Sequence, residues 1–294
     1  MIIDLQGGVD TEHYPVSYRS TPPAYGWTDE YKTTKLVLRK IPAGTFMMGS
    51  PADELGRWDD ETQHQVTLTK DFYVGVFEVT QKQWERVMGS WPSTFYNASY
   101  RDARPVETVS YDDIRGSGAG AGWPANNAVD ADSFLGRLRA KTGLALDLPT
   151  EAQWEYACRA GTTTALNSGK NLTDTWECPN MAEVGRYWYN GGGGSSWDGD
   201  TSGGTAKVGS YLPNQWGLYD MHGNVWEWSL DWYQSEQGSS AQADPRGIAG
   251  GSSRVARGGC WACDALYCRS EARGRSWPSD RGSFLGFRLV RAFQ

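Results

Sequence analysis

Between Arg254 and Arg291 the chain carries eight arginines and no lysine. This constrains what it can fold into more than any periodic pattern does. A guanidinium is a rigid fork of donors suited to carboxylates or carbonyls held in fixed geometry, while lysine acts as a mobile point charge. Set against Asp264, Glu271 and Asp280, these arginines give residues 251–294 a charge of +5 and leave −12 to the rest of a chain whose total is −7. The arginines are therefore expected to pair inside the fold rather than to meet a ligand. The same segment holds Cys260, Cys263 and Cys268, three of the five cysteines.

A length of 294 residues allows one large domain or two, and neither a linker nor an internal repeat separates two cores. Thirty-six glycines and thirteen prolines call for long loops, yet fifteen tryptophans require those loops to pack, because each indole buries a large apolar area and needs a partner for its N–H. The expectation is one α+β domain over residues 32–294, with irregular antiparallel sheets and two or three short helices, preceded by an extended arm over residues 1–31 laid on its surface. The acidic total excludes general attraction to nucleic acid. No apolar run is long enough to cross a bilayer and Met1-Ile2-Ile3-Asp4 does not read as a signal peptide. A membrane is expected only through a signal or lipid anchor outside this sequence. Five irregularly spaced cysteines in so long a chain do not read as a disulfide framework.

Local patterns supply several elements. Leu36-Val37-Leu38-Arg39-Lys40-Ile41, turned by Pro42-Ala43-Gly44 into Met47-Met48-Gly49, reads as a hairpin. Residues 65–68 and 72–79 are β-rich, and Thr80-Gln81-Lys82-Gln83 has the form of a capping box that opens a helix stopped at Gly89. Phe134, Leu135 and Leu138 mark a second helix ending at Thr142-Gly143, and Thr150 with Gln153 caps a third. The glycine-rich residues 116–122 lack the Lys and Ser/Thr of a phosphate loop and read as a flexible loop. Residues 161–205, with glycines at 191–194, show no clear element and are expected to be functional or tied by a metal. The β-rich segments nearest the two ends, residues 36–41 and 285–290, are expected to pair.

Candidate chemistry is sparse. His13, His64 and His222 share no helical or turn spacing, which removes a His-rich metal centre, and no serine sits in a nucleophile elbow. Asp220 and Glu227, separated by a turn with backbone carbonyls, offer hard oxygen ligands suited to calcium; the competing reading is that Asp220 caps a turn and Glu227 pairs with an arginine. Cys263 and Cys268 could share a soft metal such as Cu(I), cycle as a disulfide, or be small buried residues, as Cys158 beside Trp154 is expected to be.

The ordered motifs Ile41-Pro42-Ala43-Gly44-Thr45-Phe46-Met47-Met48-Gly49, Phe77-Glu78-Val79-Thr80, Arg104-Pro105-Val106, Leu148-Pro149-Thr150-Glu151-Ala152-Gln153-Trp154-Glu155-Tyr156-Ala157, Gly217-Leu218-Tyr219-Asp220-Met221, Gly223-Asn224-Val225-Trp226-Glu227-Trp228, Arg257-Gly258-Gly259 and Gly286-Phe287-Arg288 resemble the formylglycine-generating enzymes, or sulfatase-modifying factors. The resemblance spans residues 36–293 and implies a C-type-lectin-like fold. It also implies a calcium site at Asp220, Gly223, Val225 and Glu227. In those enzymes two cysteines at the places of Cys263 and Cys268 bind copper and oxidise a substrate cysteine. Here Cys260 replaces the family's serine and Asp264 follows the first cysteine, both departures from the oxidase pattern.

The C-terminus is more similar to another branch, the variable proteins of diversity-generating retroelements. In that branch a fixed frame survives while chosen positions become random. The frame is matched by Arg257, Gly258, Gly259, Trp261, Ala265, Cys268, Arg269, Ser270, Arg273, Pro278, Arg281 and the closing Gly286-Phe287-Arg288-Leu289-Val290. What that implies is a diversified region over residues 256–285 whose ligand-binding positions are Ala256, Cys260, Ala262, Cys263, Asp264, Leu266, Tyr267, Ala272, Gly274, Ser276, Trp277, Gly282, Ser283, Phe284 and Leu285. Tyr267, Trp277 and Phe284 would be rigid aromatic anchors. The expected function is display of a binding site for a protein or glycan, by a monomer at a cell surface. The alternative is the copper oxidase acting through Cys263 and Cys268.

Overall fold

The computed structural model describes residues 1–191, 193, 198 and 202–292. Of the glycines at 191–194, Gly192 and Gly194 lie outside the described residues, as do Phe293 and Gln294. Local signals translate directly into helices. Thr80 Oγ1 accepts from the Gln83 N–H at 3.3 Å while the Gln83 side chain accepts from the Thr80 N–H at 2.9 Å, opening the helix Gln81–Met88. Thr150 and Gln153 do the same for Glu151–Arg159. Gly89 and Gly143 take the left-handed conformation that ends Gln81–Met88 and Phe134–Thr142. Three short helices were not expected: Glu30–Thr33, Tyr111–Arg115, and Pro179–Val184 inside the segment read as having no clear element.

A six-stranded antiparallel sheet runs in the order Val16–Ser17, Ile2–Asp4, Lys35–Ile41, Phe72–Gly75, Val290–Ala292, Leu146–Asp147. Two sequence readings are corrected here. Residues 1–31 are not an arm laid on the domain, because Ile2–Asp4 pairs with Lys35–Ile41 and the apolar Ile3 and Leu5 are fully buried. The end segments do not pair with each other either. Phe72–Gly75 lies between Lys35–Ile41 and Val290–Ala292, and Leu285–Gly286 joins another sheet.

The expected hairpin also fails, since Gly44–Met48 pairs with His64–Leu68 and not with Lys35–Ile41. Pro42 has no N–H to give a ladder and the Ala43 N–H is taken by Asp71 at 2.9 Å, so the chain passes from one sheet to the next. A four-stranded sheet, Arg273–Ser276, Arg254–Arg257, Trp226–Trp232, Leu285–Gly286, carries the C-terminal segment. One core cluster draws on residues from Met1 to Leu289, with Trp84 stacked on Phe134 at 5.1 Å and Phe287 edge-on to both. The α+β expectation holds.

The glycine-rich residues 116–122 are clamped. The Asp130 carboxylate accepts from the Gly118, Ala119 and Gly120 N–H groups and Arg115 donates to the Gly120 carbonyl. A Cβ on Gly120 would lie 2.0 Å from the Arg115 carbonyl oxygen. Glycine serves close approach here, which overturns the flexible-loop reading.

Candidate functional site

The helix Glu151–Arg159 places Glu151, Glu155 and Arg159 four residues apart on one face, under the C-terminal segment. Arg273 forks onto Glu151 at 2.6 and 3.1 Å, and Arg257 donates to Glu155 and to the carbonyls of Ser270, Glu271 and Ala272. Arg269 reaches Glu54, Glu61 and Glu271 at 2.7 to 2.9 Å, and Arg159 binds the second Glu271 oxygen at 3.0 Å. Arg254 lies over the Trp232 ring at 3.3 Å and donates to the carbonyls of Leu230 and Ala121. The side chains of Arg257, Arg269 and Arg288 are wholly buried. Five of the eight arginines, Arg254, Arg257, Arg269, Arg273 and Arg288, are held inside the fold, as their excess over lysine implies, whereas Arg275 and Arg281 are exposed.

Gly258 and Gly259 both hold positive φ, and a Cβ on Gly259 would lie 2.5 Å from Cys268 Sγ. This tight turn sends the chain out of Arg254–Arg257 and over the scaffold. Trp261 then points back in, edge-on to Phe95 at 5.3 Å and donating to the Ser283 carbonyl. Ala265 and Cys268 join a small core with Leu166, Met181 and Tyr187. The fixed frame lies mostly inside, while Arg281 forks onto Asp113 at the surface.

The fifteen expected ligand-binding positions divide into three groups. Ala262, Tyr267, Trp277 and Phe284 are exposed, with Trp277 at 64%. Cys263, Asp264, Leu266, Gly274, Ser276, Gly282 and Ser283 are half-buried. Ala256, Cys260, Ala272 and Leu285 are buried, which corrects their assignment: Ala256 and Leu285 pack in the main core, and such small or apolar side chains face inward where strand geometry directs them. Sequence reasoning missed aromatic neighbours supplied by other segments. Trp58 stacks on Tyr267 with ring centroids 6.2 Å apart, the Trp188 N–H donates to the Cys263 carbonyl, and the Trp176 carbonyl accepts from the Ala265 N–H. Trp58, Trp176, Trp188 and Tyr189 are all exposed. The signal available was aromatic residues in segments without periodicity, such as Trp188-Tyr189 beside the glycines at 191–194.

The thiols are arranged differently from the expected pair. Cys260 Sγ lies 2.7 Å from Cys263 Sγ. Cys268 is buried, and burial pushes its thiol and that of Cys260 well above the ordinary cysteine value, so both are protonated near neutral pH. His222 Nδ1 faces the Cys268 carbonyl at 2.6 Å, and burial holds its pKa down at about 4. It is neutral and its ring is already engaged, so it gives no thiolate a cationic partner.

At the expected calcium position, Arg288 forks onto Glu227 at 2.6 Å to each oxygen and Trp154 Nε1 donates to the same carboxylate, so the arginine pairing weighed for Glu227 is present. Asp220 accepts from the Gly209 N–H, but its Oδ1 is buried with no partner among the described residues. Glu78 accepts from Asn224 and from the Val225 N–H. Burial raises Asp220 to about 6, and burial with the charges of Asp220 and Glu227 raises Glu78 well above the carboxylate range. Three buried acids, Glu78, Asp220 and Glu227, lie together beside the Arg288 guanidinium, with Lys32 as a further positive charge near Asp220. The open Asp220 oxygen and the excess negative charge fit a cation, whereas Glu227 is already committed to Arg288.

Residues 27–293 match the sulfatase-modifying factor enzyme 1-like domain. The formylglycine-generating enzyme of Mus musculus is 29% identical, over 87% of this chain and 75% of that protein. Among solved structures, Treponema denticola variable protein 1 superposes with a TM-score of 0.67 at 29% identity, covering 88% of this chain and 95% of that one. PvdO from Pseudomonas aeruginosa gives 0.66 at 27% identity, covering 88% and 94%. With this architecture and this match over most of its length, the chain belongs to the sulfatase-modifying factor enzyme 1-like domain family and has its C-type-lectin-like fold.

Proposed function

We propose that this protein displays a binding site for a macromolecular ligand on the outer surface of residues 260–284. The observation that carries the reading is the division of that segment. Its frame residues Trp261, Ala265, Cys268, Arg269 and Ser270 are buried and bonded, while Ala262, Tyr267, Trp277 and Phe284 between and beyond them are exposed. Rigid aromatics among small polar residues are the composition of adaptable binding surfaces. The exposed Trp58, Trp176, Trp188 and Tyr189 extend the same surface from segments outside the diversified one. The ligand class is a protein or a glycan, and monomeric display at a cell surface belongs to the same proposal. The likeness to a protein named as variable supports diversification of the exposed set. A near-copy of the segment beside the gene, differing only at adenines and accompanied by a reverse transcriptase, is the expected genomic finding; its absence would count against diversification.

Calcium forms part of this proposal as a structural ion. Asp220, with the carbonyls of Gly223 and Val225, would hold it beside the Glu227–Arg288 pair, and it would neutralise acids that otherwise take up protons.

The competing oxidase reading is favoured by relatives named as formylglycine-generating enzymes. It needs Cys263 and Cys268 as thiolates on a shared cleft that would hold copper. Against it stand the burial of Cys268 and the contact of Cys263 Sγ with Cys260 Sγ, which would have to open for copper to be held between Cys263 and Cys268. Copper-loaded protein is expected to leave a cysteine peptide unchanged. Conversion to an aldehyde that depends on Cys263 would overturn the display reading.

A further inference from the structure

We propose that Cys260 and Cys263 form a redox couple, a dithiol that closes to a disulfide at the head of the displayed segment. The pair shares Cys263 with the Cys263–Cys268 arrangement but replaces Cys268 by Cys260, and it holds for this chain whether or not the segment is diversified. Three observations support it. Cys260-Trp261-Ala262-Cys263 is folded into a closed turn, with the Cys263 N–H donating to the Cys260 carbonyl at 3.0 Å. The two Sγ atoms are 2.7 Å apart. That is too close for two thiolates on one ion, because metal–sulfur bonds of about 2.3 Å hold their sulfurs farther apart. Finally, access is graded: Cys263 is half-exposed while Cys260 and Cys268 are buried.

This grading sets the order of events. The Cys263 thiolate attacks one sulfur of a low-molecular-weight disulfide such as oxidised glutathione, breaking its S–S bond and expelling one thiolate. A mixed disulfide remains on Cys263. Cys260 then loses its proton to the expelled thiolate and attacks Cys263 Sγ, forming the intramolecular bond and releasing the second thiolate, which takes the proton given up earlier by Cys263. Two electrons pass from the cysteine pair to the small disulfide, which leaves as two thiols. Burial keeps Cys260 protonated until the mixed disulfide forms beside it. Cys268 takes no part; its sulfur is packed under Gly259.

Closure would fix the turn carrying the exposed Ala262, whose last residue accepts from Trp188 through the Cys263 carbonyl. Oxidation therefore sets how the displayed surface begins, and it removes the Cys263 thiol from any other chemistry.

The test uses the full chain, treated under native conditions with oxidised glutathione, then alkylated and cut on the amino side of aspartate. Cleavage before Asp264 leaves Cys260 and Cys263 on one peptide and Cys268 on another. The expected result is a single peptide lighter by two hydrogens, with Cys268 recovered as a free thiol. Cys260→Ser should instead trap glutathione on Cys263, while Cys268→Ser should leave closure unchanged. A cross-link joining the two peptides, or recovery of Cys260 and Cys263 both alkylated after full oxidation, would overturn the proposal. The wild-type peptide map decides it even if a variant fails to fold.

Discussion

Two buried charge networks anchor the C-terminal segment, and they are balanced differently. Around Arg269, four carboxylates, Glu54, Glu61, Glu155 and Glu271, meet three guanidiniums, Arg159, Arg257 and Arg269. Both oxygens of Glu61, Glu155 and Glu271 accept hydrogen bonds. Oxygens of Glu54, Glu61 and Glu271 come within 4.8 Å of one another, close enough to suggest a metal, but Arg269 already donates to all three. Even there, burial and the neighbouring Glu54 push Glu271 upward. Around Arg288, Glu227 alone among the described residues is ion-paired to the guanidinium, Glu78 and Asp220 lie near enough to feel its charge, and Asp220 Oδ1 has no donor among the described residues. The first network is closed and holds the frame, whereas the second has room for a cation.

Breaking the closed network should have the largest effect. Arg269→Met strands Glu54, Glu61 and Glu271 in the interior and is expected to lower stability by about 3–5 kcal/mol, as removal of one partner from a buried ion network does. Denaturant melts measure this directly, and a loss below about 1 kcal/mol would show that the network is dispensable.

The open network should reveal itself through pH. The folded-state pKa of Asp220 is raised from 3.8 to about 6. The folded protein therefore holds this proton more tightly than the unfolded chain. The associated stability is present below about pH 4 and disappears as pH rises through about 6, on the order of 3 kcal/mol at most. His222, lowered from 6.5 to about 4, acts in the opposite direction by losing stability as pH falls through that value. The difference curve between wild type and Asp220→Asn separates them. It should slope between about pH 4 and 6 and be flat above; a curve flat throughout would show that Asp220 ionises freely in the fold.

A smaller effect is expected from the ion. At a hundredfold excess over its dissociation constant, calcium stabilises a folded state by about 2.7 kcal/mol, and a chelator should remove that increment near neutral pH. The increment should vanish in Asp220→Asn. Loss of calcium response in Arg269→Met but not in Asp220→Asn would place the ion in the other network.

How much of this was legible in the sequence depended on the range of the interaction. Capping boxes at Thr80 and Thr150 and the helix stops at Gly89 and Gly143 are local, and they formed as read. The box of Ser110 with Asp113 is local in the same way and opens the helix Tyr111–Arg115. Strand partners were not legible, because Phe72–Gly75 reaches Lys35–Ile41 and Val290–Ala292 through contacts no local pattern encodes. For the site, arginine in place of lysine foretold internal pairing, but not which glutamates would answer. Alternation of fixed and variable residues indicated a surface. It misplaced Ala256, Cys260, Ala272 and Leu285, whose small or apolar side chains say nothing about facing in or out. The spacing of Cys260 and Cys263 is visible in the sequence, yet only the turn closed by the Cys263 N–H on the Cys260 carbonyl brings their sulfurs together.

The central claim is that the frame is fixed and the displayed face is free, and one thermal melt tests it most directly. Ala262→Ser, Tyr267→Asn, Trp277→Ser and Phe284→Asn, made together, change all four exposed positions of the set. Surface substitutions stay within about 0.5 kcal/mol each, so the combined variant should melt within about 8 °C of wild type and keep its fold. A cooperative melt in that range is the predicted result. Loss of the folded state in the combined variant would contradict the account, because it would make the exposed face part of the scaffold.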